Sequence, residues 1–249
     1  MGVKARTWYA LHRWLGAIVG LQLLAWAVGG FIFATHDLPT VHGKVGQSKA
    51  EPRALDVAAL KVSAAQALAA SGLDHADSVR IAPLVDRDVY EVRAGEDVAL
   101  VDAHTGVRIS PLGEAFATAI AQADREGPPA VLSATLVVAD PPTEYRKKPL
   151  PAWQIVLADG AGTHIWVDAR SGRITARRND AWRRFDFFWM LHTMDWQGRD
   201  DFNTALLIVA SLLAVLLVSS GLWLWGVRIG RRVRRRRGPI PAKRGDAQV

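Results

Sequence analysis

The chain has 249 residues, enough for one large domain or two small ones, with 50% hydrophobic residues, ten tryptophans and no cysteine. Its 31 Lys and Arg against 24 Asp and Glu give a net charge of +7. That charge, combined with so much tryptophan and a positive mean hydropathy of +0.08, excludes a basic, soluble nucleic-acid binder, and the lack of cysteine excludes a disulfide framework.

The basic excess sits at the two ends. Before residue 36 there are Lys4, Arg6 and Arg13 and no acid; over 228–249 there are nine basic side chains and only Asp246. The stretch between them holds 19 basic and 23 acidic groups and is mildly negative. Behind the N-terminus (1–13), Trp14 to Phe33 is a run of twenty residues with no charge and one polar amide, Gln22. At helical rise this spans about 30 Å, the thickness of a hydrocarbon core, and predicts a transmembrane helix at 14–35. A cleavable signal sequence is the competing reading. The run is longer than such a segment needs, and Ile32 and Ala34 ahead of Thr35 make a poor cleavage site, so the uncleaved anchor is preferred. A linker follows at 36–53.

The middle of the chain contains a repeat. VDAHTG at 101–106 and VDARSG at 167–172 align at a separation of 66 residues. In the first copy (54–110), Asp56 is expected to cap a helix running to about Ala70, stopped at Ser71-Gly72. Strands are expected at Ser78–Leu84, Val89–Ala94 and Val98–Asp102. In the second copy (111–178), a helix at Leu112–Ala123 turns Phe116 and Ile120 inward and ends before Gly127-Pro128-Pro129. Strands follow at Val131–Val138, Ala152–Ala158 and His164–Asp168. Each copy closes on Asp-x-x-Thr/Ser-Gly, a tight turn in which the carboxylate bonds nearby amides and glycine takes a positive φ. Asp102 and Asp168 are therefore read as turn formers and not as catalytic carboxylates.

Residues 179–202, with Trp182, Trp189 and Trp196 among phenylalanines, have the composition of an interfacial amphipathic segment. From Thr204 to Val227 there are twenty-four uncharged residues, a second span placed at 203–227. The basic tail, 228–249, is a stop-transfer cluster. By the positive-inside rule both termini are cytoplasmic and 36–202 form an extracytoplasmic domain.

The two units ending VDAHTG and VDARSG, the opening LHRWLG (Leu11 to Gly16), and MLHTMDWQG (Met190 to Gly198) leading into a span that ends SSGLWLW resemble the PepSY-associated transmembrane proteins of bacteria. The resemblance covers nearly the whole chain up to about Arg232. It implies an α+β membrane protein in which two transmembrane helices flank an extracytoplasmic domain of two tandem PepSY-like units, located in the bacterial inner membrane with 36–202 in the periplasm. Larger members have four helices, and some carry haem and are implicated in reducing iron from ferric siderophores.

Seven histidines are present, and neutral imidazole is a usual axial ligand of a b-type haem. His42, His75, His104 and His164 fall in the linker and the repeats, where solvated or hydrogen-bonded roles are the default. His12, His36 and His192 lie at membrane level and are the cofactor-binding candidates, the cofactor being haem b. His12 is followed on its helix face by Gly16 and Gly20, which admits a macrocycle or a second helix, and hence a homodimer through those glycines. His36 is 24 residues further on, roughly 36 Å along the axis, and cannot share a haem with His12 of the same helix. Spacing favours His36 with His192, whereas the family motifs contain His12 and His192.

No zinc HExxH, phosphate loop, nucleophile elbow or dinucleotide fingerprint occurs. An activity of this chain would be that of an accessory electron-transfer or ferric-reductase-like component, fed by a membrane redox partner or the quinone pool. The alternative is a non-enzymatic tethered module whose PepSY-like domain contacts a periplasmic protein partner such as a peptidase.

Overall fold

The computed structural model describes residues 3–50 and 53–236, with side chains described for 13–50, 53–223, 225–226 and 228–233. The chain divides into two compact units, 31–188 and the combination of 1–30 with 189–249.

The unit that joins the chain ends is built on two long helices. Helix α1 is Val3–Thr35 and α6 is Ala205–Arg236, both longer than the apolar runs they contain because the helix carries on through the basic flanks. The segments of membrane-crossing length and hydropathy are Arg13–Thr35 and Ala205–Val233, and only 6% of either is buried by protein. A core helix of a soluble protein would be covered. These leave Ile18, Leu21, Leu24, Leu212, Leu216 and Leu222 exposed, a surface that suits lipid and not water. The tail beyond residue 236 lies outside the described residues.

The other unit contains both repeats, but not as two independent bodies. The segment expected to be a linker forms a short helix, α2 (Leu38–Val41), capped by the Asp37 carboxylate. It then lies against the second repeat: Ser48 N donates to Asp124 O at 2.8 Å, and Arg125 donates to the carbonyls of Gly43 and Val45. The helix expected from Asp56 to Ala70 is broken in two. Asp56 caps a single 3-10 turn, η1 (Val57–Ala59), and the helix proper, α3 (Ala64–Ser71), starts at a reciprocal capping box between Ser63 and Gln66. The break arises because the amides of Lys61 and Val62 both reach Ala103 O at 3.2 Å and leave the helical ladder.

Three antiparallel strands follow, β1 (Ser78–Leu84), β2 (Arg87–Ala94) and β3 (Asp97–Asp102), in that spatial order. The next helix, α4 (Glu114–Ala123), begins two residues later than expected, because Leu112 is buried and donates its amide to Ala169 O at 2.6 Å. Then come β4 (Val131–Val137), a turn η2 (Thr143–Tyr145), β5 (Ala152–Leu157) and β6 (His164–Asp168). A further strand that the repeat pattern omitted, β7 (Ile174–Arg178), completes a four-stranded sheet in the order β4-β5-β6-β7. Helix α5 (Asp180–Thr193) follows, its start bonded by Asn179 Oδ1 accepting from Trp182 N at 2.7 Å.

The layers explain the burial pattern. Val89 and Leu100 of the first sheet pack with Leu112, Ala117, Ile120 and Ala121 around α4, and with Ile155, Leu157, Ile165 and Val167 of the second sheet. Helix α4 is thus held between the sheets. The other face of the first sheet, Tyr90, Val92 and Val101, is covered by Ala67 of α3. The other face of the second is closed by Tyr145, whose ring stacks on Trp166 at 4.1 Å. Strand β3 is buried from Val98 to Asp102 because both of its faces are covered.

Candidate functional site

Helix α5 ends at Thr193, and the carbonyls of its last turn have no intrahelical partners. Two of them are satisfied from α1: Gln22 Nε2 donates to Leu191 O at 3.1 Å and Trp26 Nε1 donates to His192 O at 3.0 Å. The lone polar amide of the first span therefore has a structural task, pinning the backbone on either side of the His192 peptide. The His192 ring is exposed. It lies parallel to Trp189, centroids 6.3 Å apart, and tilted against Trp26 at 6.0 Å.

The loop beyond is ordered by its own polar groups. Trp189 Nε1 donates to Arg199 O at 2.8 Å, and its ring meets Phe202 edge-on at 5.4 Å. Asp195 accepts from the amides of Asp201, Gly198 and Asp200, and these bonds hold its carboxyl below the usual range. The result is an imidazole presented from a braced backbone beside two apolar helices. Between those helices lies a cavity of about 290 Å³ lined by Gln22, Trp26, Met194 and aliphatic side chains, with no histidine among its described lining residues.

Of the other two candidates, His12 lies on α1 with its side chain outside the described residues. His36, in the unit that holds the repeats, directs Nδ1 to Ile32 O at 3.0 Å, and because a carbonyl oxygen can only accept, Nδ1 is the donor. On the glycine face, Gly16 lies 3.8 Å from Leu217 of α6 measured from an added Cβ, whereas nothing comes within 4 Å at Gly20. Part of the face expected to admit a second chain is thus used within this one.

Both Asp-x-x-Thr/Ser-Gly turns are built as expected. Asp102 Oδ1 accepts from His104 N and Thr105 N at 2.9 and 2.8 Å, and Asp168 Oδ1 accepts from Arg170 N and Ser171 N at 2.7 and 3.1 Å. Gly106 and Gly172 have φ of +72° and +69°. The hydroxyl position also has a reason, because Thr105 Oγ1 and Ser171 Oγ accept from the amide two residues on. Burial works against the charge of Asp102, but the amides of Thr105 and His104 outweigh it and hold the carboxyl below its ordinary range.

Two histidines of the repeats sit in carboxylate networks that spacing alone did not connect. His104 faces Asp88 through Nε2 at 3.1 Å and Ala59 O through Nδ1 at 3.1 Å, and Arg53 also bonds the buried Asp88. His164 Nδ1 lies 2.5 Å from Glu144 Oε1, which also accepts from Gln154 Nε2 and Trp166 Nε1, while Arg183 of α5 donates to Oε2 through Nε and NH2 at 3.2 and 3.0 Å. Burial opposes the Glu144 charge, but His164 and Arg183 prevail and hold its pKa at about 2. Both Glu144 oxygens are satisfied, so the network reads as a brace and not as an acid or base waiting for substrate.

The repeat unit also carries an open cleft of about 560 Å³ between the β1-β2 turn and α4, with Arg87 placed 5.6 Å from the Phe116 ring. Among the described residues no group of three or more His, Asp or Glu is arranged to hold a metal ion.

No curated protein and no solved structure matches the chain. Two apolar helices of spanning length, a pair of helix-plus-strands units closed by the same turn, and a histidine segment leading into the second span agree with the family finding: residues 9–244 match the model of the PepSY-associated TM region, and the chain belongs to that family.

Proposed function

We propose that this PepSY-type membrane protein binds haem b through His192 and passes electrons to an acceptor outside the cytoplasm, for which a ferric chelate is the expected chemistry. In this reading it resides in a bacterial inner membrane, with both termini cytoplasmic and 36–202 periplasmic. The observation that carries the proposal is the exposed His192 ring on a backbone braced by Gln22 and Trp26. A fixed imidazole beside apolar helices is a side chain that would hold the iron of a b-type haem. The cavity of about 290 Å³ is at the small end of ligand pockets and has no imidazole among its described lining residues, and His12 of the same chain is too far along α1 from Trp26 to meet His192, so the second ligand is expected from another copy of the chain. Haem would supply a one-electron couple. The chain's own part is to hold the ligand: Trp26 and Trp189 restrict the His192 ring, and the Asp195 loop fixes the entry to α6.

Full-length protein in detergent, supplemented with haem, should show a Soret band and an α band that sharpens on dithionite reduction, and His192→Ala should lose both. A wild-type protein without a Soret band overturns the proposal.

A second reading is favoured by the cleft beside Phe116, a concave, partly apolar surface of a size that takes a peptide side chain or a small ligand. In it the protein is a tethered binding module for a periplasmic partner such as a peptidase. A partner retained by the full-length protein from membranes and lost with Phe116→Asp would support this reading; an unchanged yield with the variant would sink it.

A further inference from the structure

Each sheet has two edges, and three of the four are protected. The outer edge of β1 carries the exposed Arg80 and also Pro83, which has no amide hydrogen. The edge of β3 is taken by the chain itself, where Asp102 N reaches Val107 O and Ile109 N reaches Leu100 O, both at 2.9 Å. Strand β7 ends in Arg177 and Arg178, and Gly43 packs on it so closely that a Cβ there would meet Arg177 Cβ at 2.8 Å. Strand β4 differs. Its sequence, Val-Leu-Ser-Ala-Thr-Leu-Val, has no charge and no proline, and Leu132, Leu136 and the following Val138 are 68%, 41% and 67% exposed. As at β1 and β7, among the described residues no backbone bond from outside the sheet reaches it, and β4 has neither their charges nor a proline to guard the edge.

The occupant is written in that sequence. Read from either end, β4 is the same in residue class, with Ala134 at the centre. In a two-fold antiparallel pair, opposed residues must point to the same face, so the symmetry axis has to pass through a residue. An axis through Ala134 sets Ser133 against Thr135, Leu132 against Leu136 and Val131 against Val137. Hydroxyl meets hydroxyl and aliphatic meets aliphatic, and no charge meets its like. A bulge between Val131 and Ser133 confines the regular ladder to the central residues. Two copies held in one membrane also meet at a high effective concentration. We infer that a second copy of this chain docks on β4, joining two four-stranded sheets into one of eight strands across a two-fold axis at Ala134. The pairing is independent of the glycine face of α1 and of haem binding.

The lack of native cysteine makes the test direct. In full-length protein in detergent or native membranes, Ala134→Cys faces its own symmetry mate and should form a disulfide-linked dimer on mild oxidation, whereas Leu136→Cys alone should not. Thr135→Lys, at an exposed position, should shift the wild-type mass in light scattering from dimer to monomer without changing the melting curve. A monomeric wild-type protein overturns the inference. So does a dimer that survives Thr135→Lys, since that dimer would be held through the helices.

Discussion

The two copies of the helix-plus-strands unit make the same turn and then part. After Gly106 the first copy pairs back on β3 for a few residues and is stopped at Ser110-Pro111, since proline has no amide to continue the ladder. After Gly172 the second copy runs on as β7, a full strand, and leads directly into α5. Each copy buries a carboxylate with a histidine and an arginine, but the partners differ in origin. Asp88 takes Arg53 from the entering segment, while Glu144 takes Arg183 from α5, the helix that continues to His192. Divergence after a shared turn has thus given the first copy a role in covering the sheet and the second a role in bracing the helix that bears the candidate ligand.

The comparison breaks most visibly at Glu144. Glu144→Gln leaves Arg183 and His164 facing a neutral amide and should cost about 3 kcal/mol in urea unfolding of the full chain in detergent, more than Asp88→Asn, whose Arg53 partner is 44% exposed. Because the folded pKa of Glu144, about 2, lies below its ordinary 4.5, its contribution is complete above about pH 5 and is lost as pH falls toward 2. Wild type and Glu144→Gln should accordingly converge in stability near pH 2. Parallel loss in both proteins across that window would show that Glu144 is not the group responsible.

The glycines sharpen the contrast at a smaller scale. Gly172→Ala combines a positive φ with a Cβ 2.9 Å from Leu84 Cδ2 and should cost about 2 kcal/mol. Gly106→Ala has the same φ but meets only Val62 Cγ2 at 3.5 Å, and about 1 kcal/mol is expected. Equal losses in thermal unfolding would mean that Leu84 moves aside freely. Smallest of all is the difference between the turn carboxylates. Asp102→Ala and Asp168→Ala each remove two bonds to amides; Asp102→Ala also removes a 3.4 Å contact with the half-exposed Arg87, which is worth little, so each should cost about 1 kcal/mol, alike in both copies.

Much of this was legible from local signals. A twenty-residue apolar run and a tight turn are each set by residues close in sequence, so Trp14–Phe33, Thr204–Val227, Asp102 and Asp168 could be read directly. Ser63 and Gln66 were equally local, a capping box three residues apart, but the earlier Asp56 offered a competing start, and the bonds from Lys61 and Val62 to Ala103 that separate the two turns are long-range. Strand β7 escaped because Ile-Thr-Ala-Arg-Arg is short and polar, and its pairing with β6 supplies what its own propensity lacks. At the candidate site, His192 was legible from its motif. The tasks of Gln22 and Trp26 were not, since their acceptors lie 169 and 166 residues away.

The sequence by itself determined the membrane class of the chain, its two spans, its internal repeat and the form of the closing turns, because each depends on length, periodicity or a bond between near neighbours. Only the tertiary structure decided that the repeats share one core around α4, that Glu144 braces α5 through Arg183, and that β4 lies at a sheet edge. Those features depend on which surfaces cover one another, and burial and pairing of that kind are set by contacts between residues far apart in the chain.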